Sequence, residues 1–443
     1  MNRISNWLDS MVFEKDGQVR YAVAAETPDQ SSMNLYQGLP GILLFYHRLH
    51  EVTGEERYQV KSRQLANLIA EHLDQQDGSG DPGLFTGYTG LGWVLLKTYP
   101  GEHRDSILHC VELLTETAQQ REVQATSFDG IPRNAVTWNQ VTDVIGGSAG
   151  IGLFLVHCSA EPEINSEKAW ELAGAAAVGL HEDAQRVDLD NGIGWKWMMS
   201  PTFQREMPNY SHGTAGICDF LLAVHEEQLR RDKLPVPQGE LQTVYDGQFA
   251  VWAGRGANYL AALDTVHGAR GLLPHHFPDG DELFYLGWCH GPAGTCQLAN
   301  RLGAMEDQAS WQDYSKLATD ELVRAALHAN RTDGFWNNVG ICCGSAGVGS
   351  FLVDQSIRYE NDDYLTEAKR IAEDILARGA VGETADGRPT LCWTQAEHRV
   401  RPEFLQTQSG LMQGAAGVGL FLIQLEMIHR DREPFSIFGD LMK

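Results

Sequence analysis

The sequence predicts an all-α fold, an α/α toroid with seven inner helices standing inside seven outer ones. Three observations predict it. Seven turns share the pattern Gly-x-x-Gly followed by aliphatic residues. After most of these turns the chain is apolar on nearly every side, which marks a buried helix. Between them, apolar residues fall at three- and four-residue spacing among charges, which marks an amphipathic helix. Self-similarity at intervals of this kind is the signature of a repeating architecture.

In chain order the turns begin at Gly38, Gly87, Gly147, Gly213, Gly291, Gly344 and Gly414. Their spacings are 49, 60, 66, 78, 53 and 70 residues. Each interval has room for one buried helix, one amphipathic helix and loops. Ile42-Leu43-Leu44-Phe45-Tyr46 and Val418-Gly419-Leu420-Phe421-Leu422-Ile423 exemplify the inner runs. Residues 310–331 and 362–378 exemplify the outer ones. The small turn residues permit close backbone approach. The free N–H groups at the start of each inner helix then face one end, and residues beside the turns converge on one mouth.

The longer intervals predict irregular loop insertions near residues 191–208, 235–284 and 382–409. The first holds Trp195 and Trp197 and reads as a hairpin or lid. Loops over a rigid scaffold are where binding groups tend to sit. No stretch reads as a linker, so the expectation is a single domain over residues 1–443.

The 443 residues carry 34 Lys and Arg against 59 Asp and Glu, a net charge of −25. That field repels phosphate backbones and anionic lipid, which argues against nucleic-acid and membrane-surface roles. One uncharged run, residues 335–353, approaches the length of a membrane span. Its glycines and asparagines argue against one. The first twenty residues lack an apolar signal segment. The eight cysteines show no disulfide framework. Together these features predict free thiols in a reducing, cytoplasmic compartment.

Two turns carry the chemistry, Trp288-Cys289-His290-Gly291 and Cys342-Cys343-Gly344. Each places a cysteine two residues before its first glycine, and the second adds another directly before it. Zinc favours thiolate and imidazole ligands, and a catalytic zinc keeps one position open. Cys289, Cys342 and Cys343 would give such a site. Small buried thiols would satisfy the same pattern. His290 is an alternative third ligand. Gly146-x-x-x-Gly150-x-Gly152 resembles a nucleotide-binding fingerprint, but a sister sequence recurs at every repeat and no strand is predicted before it.

These turns, with Ser211-His212-Gly213, resemble the lanthionine synthetase C family of cyclases over roughly residues 30 to 425. The resemblance implies an α/α toroid with one catalytic zinc at its mouth. It implies an enzyme that adds peptide cysteine thiols to dehydroalanine or dehydrobutyrine, closing thioether rings in a lanthipeptide. The family's zinc ligands fall on Cys289, Cys342 and Cys343, the third being histidine in many members. Its proton-handling histidine falls on His212, and its active-site aspartate on Asp143. A histidine titrating near neutrality suits proton transfer. Asp143 could orient His212 or cap a helix. An arginine that some members carry falls on Tyr285, with Arg270 as a possible substitute.

The implied partners are a dehydrated precursor peptide and a separate dehydratase, because this chain has no room for one. Two other readings share the motifs. One is addition of glutathione to dehydroamino acids in proteins, as in animal members with the same Trp-Cys-His-Gly turn. The other is a non-catalytic, zinc-stabilised peptide-binding scaffold. A glycosidase would need two carboxylates across a cleft, and the glycine mouth shows no convincing pair.

Overall fold

The computed structural model describes residues 1–15, 17–121, 134–190, 192–232, 248–267, 271–305, 309–330 and 334–442. Its helices in chain order begin with α1 (Asn2–Ser10), α2 (Leu39–Thr53), α3 (Glu56–Asp74), α4 (Thr89–Thr98) and α5 (Arg104–Thr117). There follow α6 (Ser148–Ala160), α7 (Glu167–Asp183), α8 (Thr214–Asp232), α9 (Gln248–His267) and α10 (Pro292–Leu302). The last are α11 (Ala309–Ala325), α12 (Ser345–Arg358), α13 (Asp362–Ala377), α14 (Ala415–His429) and α15 (Ile437–Met442).

Every Gly-x-x-Gly turn opens an inner helix. These are α2, α4, α6, α8, α10, α12 and α14, and each packs on the next until α14 returns to α2. Six outer helices, α3, α5, α7, α9, α11 and α13, each pack on the inner helix that precedes them. Among the described residues α14 is followed only by the six-residue helix α15. The place outside α14 is taken by α1, from the other end of the sequence. Its Ile4, Trp7 and Leu8 are buried.

The turns are joined by a closed belt of backbone hydrogen bonds. The amide of Tyr36 donates to the carbonyl of Phe85 at 3.0 Å, and that of Phe85 to Ile145 at 2.9 Å. Val144 donates to Ser211 (3.2 Å), Ser211 to Cys289 (3.0 Å) and Cys289 to Cys342 (3.1 Å). Cys342 donates to Met412 and Met412 to Tyr36, both at 2.9 Å, which closes the belt. All but Val144 among the donors lie two residues before a turn's first glycine.

The second glycine of a turn is required by this packing. A methyl group on Gly294 would overlap the carbonyl oxygen of Trp288, and one on Gly347 would overlap that of Ile341. Beneath the belt Trp288 is fully buried. Its ring lies 5.5 Å from Phe85 and 5.6 Å from Tyr210. Phe438 of α15 stacks flat on it at 5.7 Å. Trp288 is therefore core packing.

The insertions are more regular than the sequence suggests. Residues 191–208 contribute to two hairpins, Gln185–Leu189 with Gly192–Lys196 and Met198–Ser200 with Phe203–Glu206. Residues 382–409 contribute to two more, Ala380–Glu383 with Pro389–Cys392 and Gln395–His398 with Arg401–Gln406. The stretch 235–284 contains the 20-residue helix α9. Glycines at 254 and 256 hide that helix, since glycine weakens helices locally. Gly256 is needed there because a side-chain carbon would overlap the Cys218 sulfur. Among the described residues no helix is long and apolar enough to cross a membrane.

Candidate functional site

The belt sets where each candidate side chain stands. Residues two before a turn's glycine form the belt, and residues one before it come next along the mouth. Cys289 and Cys342 occupy the belt position, whereas His212, His290 and Cys343 occupy the following one. Adjacent residues send side chains in different directions in regular structure. Two turns can nevertheless converge when they are hydrogen-bonded neighbours. The Cys289 sulfur lies 3.2 Å from that of Cys343, and the Cys343 sulfur 3.4 Å from that of Cys342.

The ligand atoms of Cys289, Cys342 and Cys343 all lie within 4.8 Å of one another. Tetrahedral zinc with bonds of 2.3 Å would space its sulfurs by about 3.8 Å. A slight opening of the three thiols would therefore admit the ion. Seven inner-helix N-termini surround the belt, and their positive ends favour anions such as thiolates. Hydrogen bonds from Cys289, Cys343 and the Tyr36 hydroxyl hold the Cys342 thiol well below its ordinary pKa. Burial pushes the Cys289 thiol the other way.

His212 and Asp143 meet at the same mouth. His212 Nδ1 lies 2.6 Å from Asp143 Oδ2. The other Asp143 oxygen accepts from the Gly146 amide at 2.8 Å. One carboxylate thus fixes its own turn and holds the imidazole, but it does not cap α6, whose N-cap Gly147 has no side-chain hydrogen bond. Burial pulls the His212 pKa down. The Asp143 hydrogen bond and charge, with the Cys342 thiolate, outweigh that and leave it raised.

His290 does not join the three sulfurs. Its ring stacks on His275 at 3.9 Å, and neither nitrogen has a hydrogen-bond partner among the described residues. Burial and the neighbouring His275 and His212 push its pKa well down, so it is neutral. His275 is half-buried and His276 buried. Asn209 ties their loop down by donating to the carbonyls of Pro274 (2.8 Å) and His275 (3.1 Å). Burial and the flanking His276 hold the His275 pKa at about 3.

Three site residues were not foreseen. Tyr36 stands in the belt position of the first turn and hydrogen-bonds Cys342. The shared register would have revealed it. Glu397 comes from the strand Gln395–His398 and accepts from Gln408 at 2.6 Å. Burial, Glu26 and Cys342 push its pKa up to about 7. Arg399 follows in the same hairpin. Burial raises the Tyr285 pKa and the Arg399 guanidinium opposes it. No repeat marks either of these two. Arg270 lies outside the described residues.

The remaining cysteines stand apart from this group. Burial raises the pKa of Cys110, Cys158, Cys218 and Cys296, and they behave as core thiols. Half-buried Cys392 lies beside the Ala380 carbonyl.

Comparison with solved structures finds a fold similar to nisin cyclase, with a TM-score of 0.60 and 16% identity, covering 94% of this chain and 93% of that one. An α-mannanase of family GH76 from Bacteroides thetaiotaomicron scores 0.47 at 10% identity, with 97% and 94% covered. An unsaturated glucuronyl hydrolase from Bacillus sp. GL1 scores 0.42 at 12% identity, with 98% of each chain covered. No curated protein matches by sequence. The model of the family described as lanthionine synthetase C-like protein matches residues 29–436, nearly the whole chain that builds the toroid and its mouth, and the chain belongs to that family.

Proposed function

We propose that this protein is a zinc-dependent cyclase. It would add cysteine thiols of a dehydrated precursor peptide to dehydroalanine or dehydrobutyrine, forming lanthionine or methyllanthionine rings. The observation that carries this reading is the meeting of three sulfurs with the Asp143–His212 pair at one mouth. Family membership and the nisin cyclase fold support it.

Cys289, Cys342 and Cys343 would hold the metal. Zinc so bound supplies Lewis acidity that renders a further thiol acidic at neutral pH. In the addition, the substrate sulfur forms a bond to the β-carbon. The π pair of the double bond shifts through the α-carbon onto the carbonyl oxygen, and a proton added at the α-carbon completes the product. One S–H is consumed and one C–H is made. His212 would deliver that proton. Its Nδ1 is engaged by Asp143, so its Nε2 is the nitrogen available to substrate. Asp143 favours the charged ring, and the helix N-termini around the mouth favour the developing enolate.

The dehydroamino acids of the peptide would be made beforehand by a dehydratase, whose chemistry this reading leaves to a partner. Free thiols suit a reducing compartment such as the cytoplasm. The test is incubation of zinc-loaded protein with a dehydrated, cysteine-containing peptide, followed by thiol alkylation and mass spectrometry. Ring closure removes alkylatable thiols without changing peptide mass. Thiols that persist as long as in the protein-free control would overturn the proposal.

A further inference from the structure

A second feature opens beside the three sulfurs. A cavity of about 510 Å³ is walled by Cys343 itself, by Tyr285 and Val348, and by Leu327 and Trp336. Its size lies within the roughly 300–1,000 Å³ typical of small-ligand pockets, enough for one or two side chains. Trp336 belongs to the short 3₁₀ helix Gly334–Asn337. It stands edge-on to Tyr285, with ring centroids 5.0 Å apart. Tyr285 is buried, yet Trp336 is 46% exposed. The lining is mainly apolar, with Glu282, Asn330, Asn338 and Arg378 adding polar groups, and an exposed indole over such a pocket is the composition of a recognition anchor.

We propose that this pocket is a specificity subsite, taking an apolar or aromatic side chain within two residues of the reacting peptide cysteine. The inference rests on the thiol-addition reading. A thiol held at the three-sulfur centre places its own neighbours along the mouth. Two extended residues span at most about 7 Å, so a flanking side chain reaches a pocket that shares Cys343 with the centre. Tyr285 takes on a role here. Where some family members carry an arginine, this chain builds an aromatic wall.

The experiment uses dehydrated peptides with Gly, Leu, Phe, Asp or Lys at each of the four positions within two residues of the cysteine. Cyclisation is read as kcat/KM for wild type and Trp336→Ala. Binding of matching Ser-for-Cys peptides is read by fluorescence anisotropy. The expected result is a preference of about tenfold or more for Leu or Phe over Gly at one position or more. That preference should shrink severalfold in Trp336→Ala, with the same order in the anisotropy data. Cyclisation without any apolar preference, or a preference that survives in Trp336→Ala, overturns the subsite and leaves the thiol chemistry standing. Failure to cyclise any peptide, despite apolar-selective binding, overturns the thiol chemistry and keeps the pocket as a binding site. Neither cyclisation nor selective binding overturns both.

Discussion

The amide of Cys289 donates to the carbonyl oxygen of Cys342 at 3.1 Å, so the two residues are hydrogen-bonded neighbours across 53 residues of sequence. Their side chains are therefore positioned by main-chain contacts that persist when the side chain is changed. Removal of a sulfur should leave the toroid intact. This separates loss of metal from loss of fold.

Wild type is expected to hold about one zinc per chain, and Cys289→Ala, Cys342→Ala and Cys343→Ala to lose most of it. Elemental analysis after gel filtration, with circular dichroism as the control for folding, checks this. Full retention in Cys289→Ala or Cys342→Ala would sink the assignment. Retention in Cys343→Ala alone would transfer the third place to another group, with His290 the first to examine.

His212→Asn should keep zinc and fold while ring closure slows by roughly 10²–10⁴-fold, the usual worth of a positioned acid. Single-turnover cyclisation measured by mass spectrometry is the readout. A variant that closes rings at the normal rate would make the Asp143–His212 pair structural.

The pH dependence follows from the same pair. A proton donor must be protonated, and His212 has a pKa above its ordinary 6.5. The donor function is present at pH values below that raised pKa and is lost as pH rises through it. Asp143→Asn removes a charge that favours the imidazolium, so the alkaline limb of kcat/KM should move to lower pH. An unmoved limb would assign the proton to another acid. Glu397 would then be the first to test, since burial, Glu26 and Cys342 push its pKa up to about 7.

Gly294→Ala should destabilise the protein by about 1–3 kcal/mol, the usual penalty for overpacking. The added methyl would strike the Trp288 carbonyl, directly before a proposed ligand. Urea unfolding gives the stability, and zinc content should fall in parallel. Unchanged stability would show that the turn relaxes more easily than its contacts suggest.

The inner barrel was legible because its turns repeat. Gly-x-x-Gly before an apolar run needs only local sequence to be seen, and it brought His212, Cys289, Cys342 and Cys343 to one mouth. The Asp143–His212 pairing came from resemblance, and the structure adds its 2.6 Å contact. Less visible was whatever depends on distant chain. The place of α1 outside α14 links residue 4 to the last repeat, and no local pattern encodes that. Helix α9 was masked by Gly254 and Gly256, of which the second is required by the Cys218 sulfur packed against it. Glu397 and Arg399 reach the site on a hairpin, where nothing repeats. Tyr36 lay in plain view, two residues before Gly38, but its meaning required knowing that this register forms the belt.

The belt also bears on timing. Strands exchange their amide hydrogens from frayed ends inward, and low-stability segments open first. A closed circle has no end. The amides of Tyr36, Phe85, Val144, Ser211, Cys289, Cys342 and Met412 should therefore exchange together, at the slow rate of whole-molecule opening. Cys289 and Cys342 are then carried on the part of the chain that opens last, so two of the three sulfurs should hold their places until the whole molecule unfolds.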